Sequence, residues 1–167
     1  NVKCIACEYG KAVKRKTSAT ITRQNPDAEM NLKKGDLFPG QRVSCDHYQS
    51  AQPGRLYSSR GSDRSNKFVG GIIFVDNATG LVDVRHQLSL NATETIKSKL
   101  YFEREAAHDG VVIRAYHTDN GVFTSREFLE ELIKSNLQVR FSGSGAAHQN
   151  AVAERGIRTI VTMARTI

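Results

Sequence analysis

Apolar and polar positions along the chain separate into five strand-like and three helix-like stretches. From Gly40 the pattern alternates: Val43, Cys45 and His47 fall on one face of a strand over Gln41–Gln49, Arg42, Ser44, Asp46 and Tyr48 on the other, and Pro53-Gly54 closes the run. Phe68–Val75 is continuously apolar, the signature of a buried strand, and far too short to span a bilayer. A third strand, Leu81–Leu88, follows across Asp76-Asn-Ala-Thr-Gly80, which has hairpin-turn chemistry. Asn91 or Thr93 can cap a helix to about His108, with Ile96, Leu100, Tyr101 and Phe102 at helical spacing and Asp109-Gly110 as its stop. Val111–Tyr116 reads as a fourth strand. Ser125 caps a helix through Ser135 with a stripe of Phe128, Leu129, Leu132 and Ile133, and Leu137–Phe141 is the fifth strand. Residues 142–148 are small and glycine-rich and read as a mobile loop, after which a last helix starts near Asn150.

Three consecutive strands, then strands alternating with helices, describe an α/β chain with a five-stranded mixed sheet, its first three strands antiparallel and helices on both faces. In such a sheet the first and fourth strands can be neighbours. Asp46, within the first, and Asp119, just past the fourth, would then converge at the sheet edge where α/β sites form.

Composition directs attention to an acidic partner. The 167 residues carry a net charge of +7, and the excess is at the front: residues 1–60 hold 11 Lys/Arg against 5 Asp/Glu, residues 61–167 hold 13 against 12. Phosphate neutralisation gives such a surface sequence-independent affinity for nucleic acid. Three cysteines make no disulfide framework and, with no apolar leader, favour an intracellular chain that is neither secreted nor membrane-bound. Residues 1–35, with Cys4-x-x-Cys7 and a basic run, read as an appendage and linker ahead of a core over 36–167. Two cysteines are half of a zinc site's ligands.

Three acids stand out by context, and each has a structural alternative. Asp119 in Thr118-Asp-Asn-Gly121 sits on a tight turn after a strand, where Asp-Asn-Gly is also ordinary turn chemistry. Asp46 lies mid-strand, a poor place for aspartate unless the carboxylate is used there. Glu154 falls in the first turn of the last helix, where the dipole alone favours an acid and Arg158 can pair with it at i,i+4. On that helix Ala153, Ile157, Ile160 and Ala164 make an apolar stripe beside Asn150, Glu154, Arg158 and Arg165. Asp76, Asp83 and the Glu130-Glu131 pair compete, the last pair as a solvated face. Cys45 is assigned to the core, and His47, His117 and His148 are assigned no ligand role. Carboxylate oxygens suit Mg²⁺ or Mn²⁺.

Taken together, Asp46, Tyr116-His-Thr-Asp-Asn-Gly-Val-Phe123 and Ala153-Glu-Arg155 resemble the integrase catalytic core of copia-type (pseudoviral) LTR retrotransposons, and Cys4-Ile-Ala-Cys7 is similar to the end of that family's zinc module. The 34 residues between Asp119 and Glu154 compare with a family interval of about 35. A departure is Ala151, where the family has glycine after His-Gln-Asn. The resemblance implies a ribonuclease H-like fold and a polynucleotidyl transferase in which Asp46, Asp119 and Glu154 hold two Mg²⁺ or Mn²⁺ ions for 3′-end processing and strand transfer into target DNA. It also implies double-stranded DNA and further copies of the full-length protein as partners, a nuclear or virus-like-particle setting, and zinc at Cys4 and Cys7 once its other ligands are supplied. Charge and expected exposure place Arg55, Arg60, Arg64 and Lys67 as DNA contacts, and the polar face shared with Glu154 adds Asn150, Arg158 and Arg165. A catalytically inactive DNA-binding remnant and a structure-specific nuclease of the same fold are the alternatives.

Overall fold

The computed structural model describes residues 34–54, 67–143 and 150–164. After a 3₁₀ turn at Lys34–Asp36 the elements are β1 (Val43–Gly54), β2 (Phe68–Asp76), β3 (Val82–Gln87), α1 (Ala92–His108), β4 (Ala115–Thr118), α2 (Arg126–Lys134), β5 (Gln138–Phe141) and α3 (Ala151–Ala164), with a second 3₁₀ turn at Val122–Thr124. They form a five-stranded sheet of order β3-β2-β1-β4-β5. β1, β2 and β3 are antiparallel neighbours, whereas β4 and β5 run parallel to β1. Five strands and three helices match the pattern read from the sequence.

The alternation along β1 divides the core. Val43 and Cys45 join Ile72, Phe74 and Tyr116 on the face covered by α1 and α2, which contribute Phe102, Phe128 and Leu132. Phe74 lies between Phe102, stacked at 4.6 Å, and Tyr116. The opposite face is smaller: Ile73 and Val75 receive Ala153 of α3, with Ile157 and Ile160 at its edge. Each large apolar side chain so buried contributes roughly 1.5–3 kcal/mol.

Gly156 decides how closely α3 lies on the sheet. A Cβ there would stand 2.9 Å from both Ile73 Cδ1 and Val75 Cγ2. The helix seats on this gap with Ala153 one turn away, which leaves Glu154 at the rim.

Two boundaries differ from expectation. β1 continues past Gln49 to Gly54, its register against β2 shifting between those residues. β4 is Ala115–Thr118 rather than Val111–Tyr116: Gly110, at φ 77°, ends α1, and the following segment is tied by Val111 N–H to Ala106 O and Arg114 N–H to Gly40 O, outside the ladder. Of the two candidate caps Asn91 is used, its side chain accepting from Glu94 N–H.

The Glu130-Glu131 pair is a correction. Glu130 is solvated and pairs with Arg126, but Glu131 turns inward to Lys99, which is 1% exposed. Lys99 Nζ also lies 3.1 Å from Glu103, whose other oxygen accepts from Tyr116 Oη at 2.8 Å. This network joins α1, α2 and β4 beneath the core.

Candidate active site

β4 lies beside β1 with Ser44 opposite His117, so two residues further along both strands Asp46 and Asp119 come level. Parallel pairing thereby brings together acids 73 residues apart in sequence. Asp46 is half-buried, and its Oδ1 accepts from His47 N–H at 2.8 Å. Its pKa is raised to about 6: burial is the main cause, the charge of Asp119 the next, and Glu154 adds to it against that backbone hydrogen bond. The three carboxylates therefore share one electrostatic environment. Asp119 is exposed on its turn, where Gly121 N–H approaches Oδ1 at 3.3 Å.

Glu154 is exposed in the first turn of α3, and no cation stands at ion-pair distance from it among the described residues, so the pairing with Arg158 expected from spacing is not made. Among the described residues no three His, Cys, Asp or Glu side chains are close enough together to hold one metal ion. Asp46 and Asp119 come level along the direction of adjacent parallel strands, and Glu154 lies in the first turn of α3.

The competing acids are engaged elsewhere. Asp76 is buried and accepts from Gly40 N–H, Thr79 N–H and Thr79 Oγ1, holding the hairpin turn. Asp83 binds Arg85. His47 points into the core, stacked on Phe123 at 4.7 Å with Nε2 3.0 Å from Thr95 Oγ1, and burial lowers its pKa to about 4. Cys45 is fully buried, and desolvation drives its thiol far above the usual range.

Asn150 needs revision as a DNA contact. It is 3% exposed, and its Nδ2 donates to the Cys45 carbonyl at 3.1 Å, so its amide is used to hold the start of α3 against β1. Arg158 is exposed on α3, and Lys67 is partly buried just before β2. Arg55, Arg60, Arg64, Arg165, His148, Cys4 and Cys7 lie outside the described residues, as does most of the 1–35 segment. Three arginines outside this acidic group had no sign in the sequence: Arg42, Arg114 and Arg140 line one cavity, and no linear motif unites residues so far apart.

No family model matches the chain, and no curated protein matches it by sequence. Among solved structures it is similar to the simian T-cell lymphotropic virus intasome in complex with PP2A regulatory subunit B56 gamma (19% identity, TM-score 0.55, covering 91% of this chain and 45% of that one). It is also similar to the catalytic core domain of BIV integrase (14%, 0.50, 71% and 65%). A third neighbour is the HTLV-2 integrase catalytic core domain in complex with magnesium, in dimeric form (21%, 0.49, 71% and 66%). At such identities the likeness concerns the fold, which is ribonuclease H-like with the strand order of integrase cores. The chain spans between 45% and 66% of the lengths of these neighbours.

Proposed function

We propose that this chain is the catalytic core of a DNA-integrating enzyme of the copia-type retrotransposon kind, acting on element ends and target DNA. The observation that carries the reading is the parallel register of β1 and β4, which brings Asp46 level with Asp119, where burial first and then the charges of Asp119 and Glu154 raise the Asp46 pKa. Likeness of fold to retroviral integrase cores supports it.

Mg²⁺ or Mn²⁺ fits this set, because every donor is a hard carboxylate oxygen and a cation would offset the burial and mutual repulsion that raise the Asp46 pKa. Two such ions, when bound, would supply Lewis acidity to the phosphodiester and lower the pKa of the attacking water or 3′-hydroxyl. Asp46 serves as a ligand in its ionised form, which prevails above about pH 6. Asp119, exposed at the end of β4, is open to an approaching backbone phosphate, and Glu154 completes the set from the rim of α3. Asn150 positions α3, and so Glu154, through Cys45 O. Arg158, Arg165, Lys67, Arg55, Arg60 and Arg64 are proposed to meet phosphates. Residues 1–35 are proposed to complete a zinc module with residues from elsewhere in a longer protein. Double-stranded DNA, self-association of that protein and a nuclear or virus-like-particle setting belong to the same proposal. No helix among the described residues is long and apolar enough to cross a membrane.

A second reading has an observation in its favour. Glu154 does not close on the two aspartates into one ligand set, as suits a DNA-binding core that has lost turnover. A strand-transfer assay with oligonucleotide ends and Mn²⁺ separates the two. Transfer by the wild-type chain, abolished by Asp119→Asn with salt-sensitive DNA binding intact, is expected for the enzyme. Equal transfer by that variant refutes the three-acid site, and DNA binding without transfer by either chain supports the inactive core. Hydrolysis in which no 3′-hydroxyl can replace water identifies a nuclease.

A further inference from the structure

Where β1, β4 and β5 begin, a cavity of about 600 Å³ opens. That size lies within the range of roughly 300–1,000 Å³ typical of ligand sites. Its walls include Leu37, Val112 and Leu137, and Arg42, Arg114 and Arg140 come to it from three separate segments. No carboxylate lies at ion-pair distance from any of these guanidinium groups among the described residues.

Two of the three arginines are held in place. With the Asn77 amide oriented to satisfy both its ends, its oxygen accepts from Arg42 Nε at 2.6 Å and Nη2 at 3.0 Å, while its nitrogen donates to Val75 O and Ser44 Oγ. A neutral acceptor thus fixes the side chain without cancelling its charge. Burial, and then the nearby Arg140, lowers the pKa of Arg42, as expected where like charges gather without a counterion. Arg114 lies over the Phe38 ring at 5.4 Å. Phe38 and Val112 remain 48% and 66% exposed at this surface.

We propose that this cavity docks an acidic peptide segment of a partner protein, with a bulky apolar side chain between its carboxylates. Charge complementarity sets the sign of the occupant, since three arginines want anionic groups and guanidinium forks match carboxylates. The exposed Phe38 and Val112 set its other half: an apolar side chain covers them, whereas a duplex phosphate backbone leaves them in water. Residues 1–33 of the chain itself carry seven Lys/Arg against three Asp/Glu and are of the wrong sign. The proposal is independent of the role assigned to Asp46, Asp119 and Glu154, none of which lines the cavity.

Selection from a displayed random-peptide library on the full chain tests it. Enriched sequences are expected to combine acidic residues with an aromatic or large aliphatic one. The best of them, titrated into ¹⁵N-labelled protein, should shift the amide signals of Arg114, Gln138 and Arg140. The Arg114→Gln/Arg140→Gln double variant changes two exposed side chains and should keep its melting temperature while binding roughly tenfold or more weakly. Val112→Ser, a single exposed change, should also weaken binding. Enrichment without acidic preference, equal binding by both variants, or displacement of the peptide by duplex DNA at the same amides would overturn the proposal.

Discussion

The side-chain amide of Asn150 donates to the carbonyl of Cys45 at 3.1 Å, fastening the start of α3 to β1 one residue before Asp46. The bond links the strand that carries one candidate acid to the helix that carries another. Asn150→Ala should cost about 1–2 kcal/mol in urea unfolding, since it leaves a buried carbonyl without its donor. An unchanged midpoint would mean that packing of Ala153 and Gly156 alone holds the helix.

A side chain at Gly156 should loosen the seat of α3 on the sheet. Because a Cβ at this position would stand 2.9 Å from both Ile73 and Val75, Gly156→Ala must push α3 off the sheet or force those side chains from their rotamers. Overpacking of this kind costs about 1–3 kcal/mol, which outweighs the better helix propensity of alanine, about 1 kcal/mol. Thermal unfolding of Gly156→Ala reads the balance, and a rise in melting temperature would contradict the packing described.

Asp46 should make the fold less stable as pH rises. Its pKa is about 6 in the folded chain against an ordinary 3.8, so between those values the unfolded chain ionises first and stability falls with increasing pH, the cost being complete above about 6. His47 works in the opposite sense: with its pKa lowered from 6.5 to about 4, stability is lost as pH falls through that window. Comparing Asp46→Asn with the wild type isolates the aspartate. In metal-free buffer the variant should melt higher at pH 7.5 and nearly level with the wild type at pH 4. A difference that does not change with pH would remove the electrostatic basis of the site.

Lys99 should be indispensable to the fold. It is 1% exposed between Glu103 and Glu131, so Lys99→Met leaves two partly buried carboxylates facing each other without a cation. Breaking such a pair typically costs about 3–5 kcal/mol. Denaturant unfolding measures it, and a loss below about 1 kcal/mol would show the carboxylates to be adequately solvated.

Much of the fold was legible because the periods were clean. The alternation in β1, the Ser125 cap and stripe of α2 and the apolar run of β2 each point to one element. The fourth strand was misplaced by its composition: Val111-Val-Ile113 is β-branched, yet Gly110 and the tie of Arg114 to Gly40 keep it off the ladder. Asp46 and Asp119 were expected to converge because the first and fourth strands of such a sheet can be neighbours, and the pairing of Ser44 with His117 supplies the register that brings them level. Which polar residues turn inward was not legible, since a Lys at an exposed-looking helix position carries no local sign of its partners. Glu131 and Asn150 were misread for that reason: the first meets Lys99 of α1, the second a carbonyl 105 residues away.

Whether the three carboxylates act as one site is read most directly by titrating Mn²⁺ into the full chain calorimetrically at pH 7.5, above the Asp46 pKa. Binding should weaken roughly tenfold or more in each of Asp46→Asn, Asp119→Asn and Glu154→Gln, and should be unchanged in Asp83→Asn, whose carboxylate is held by Arg85. Wild-type affinity retained by Glu154→Gln would leave two aspartates and a helix-end acid that share no ion.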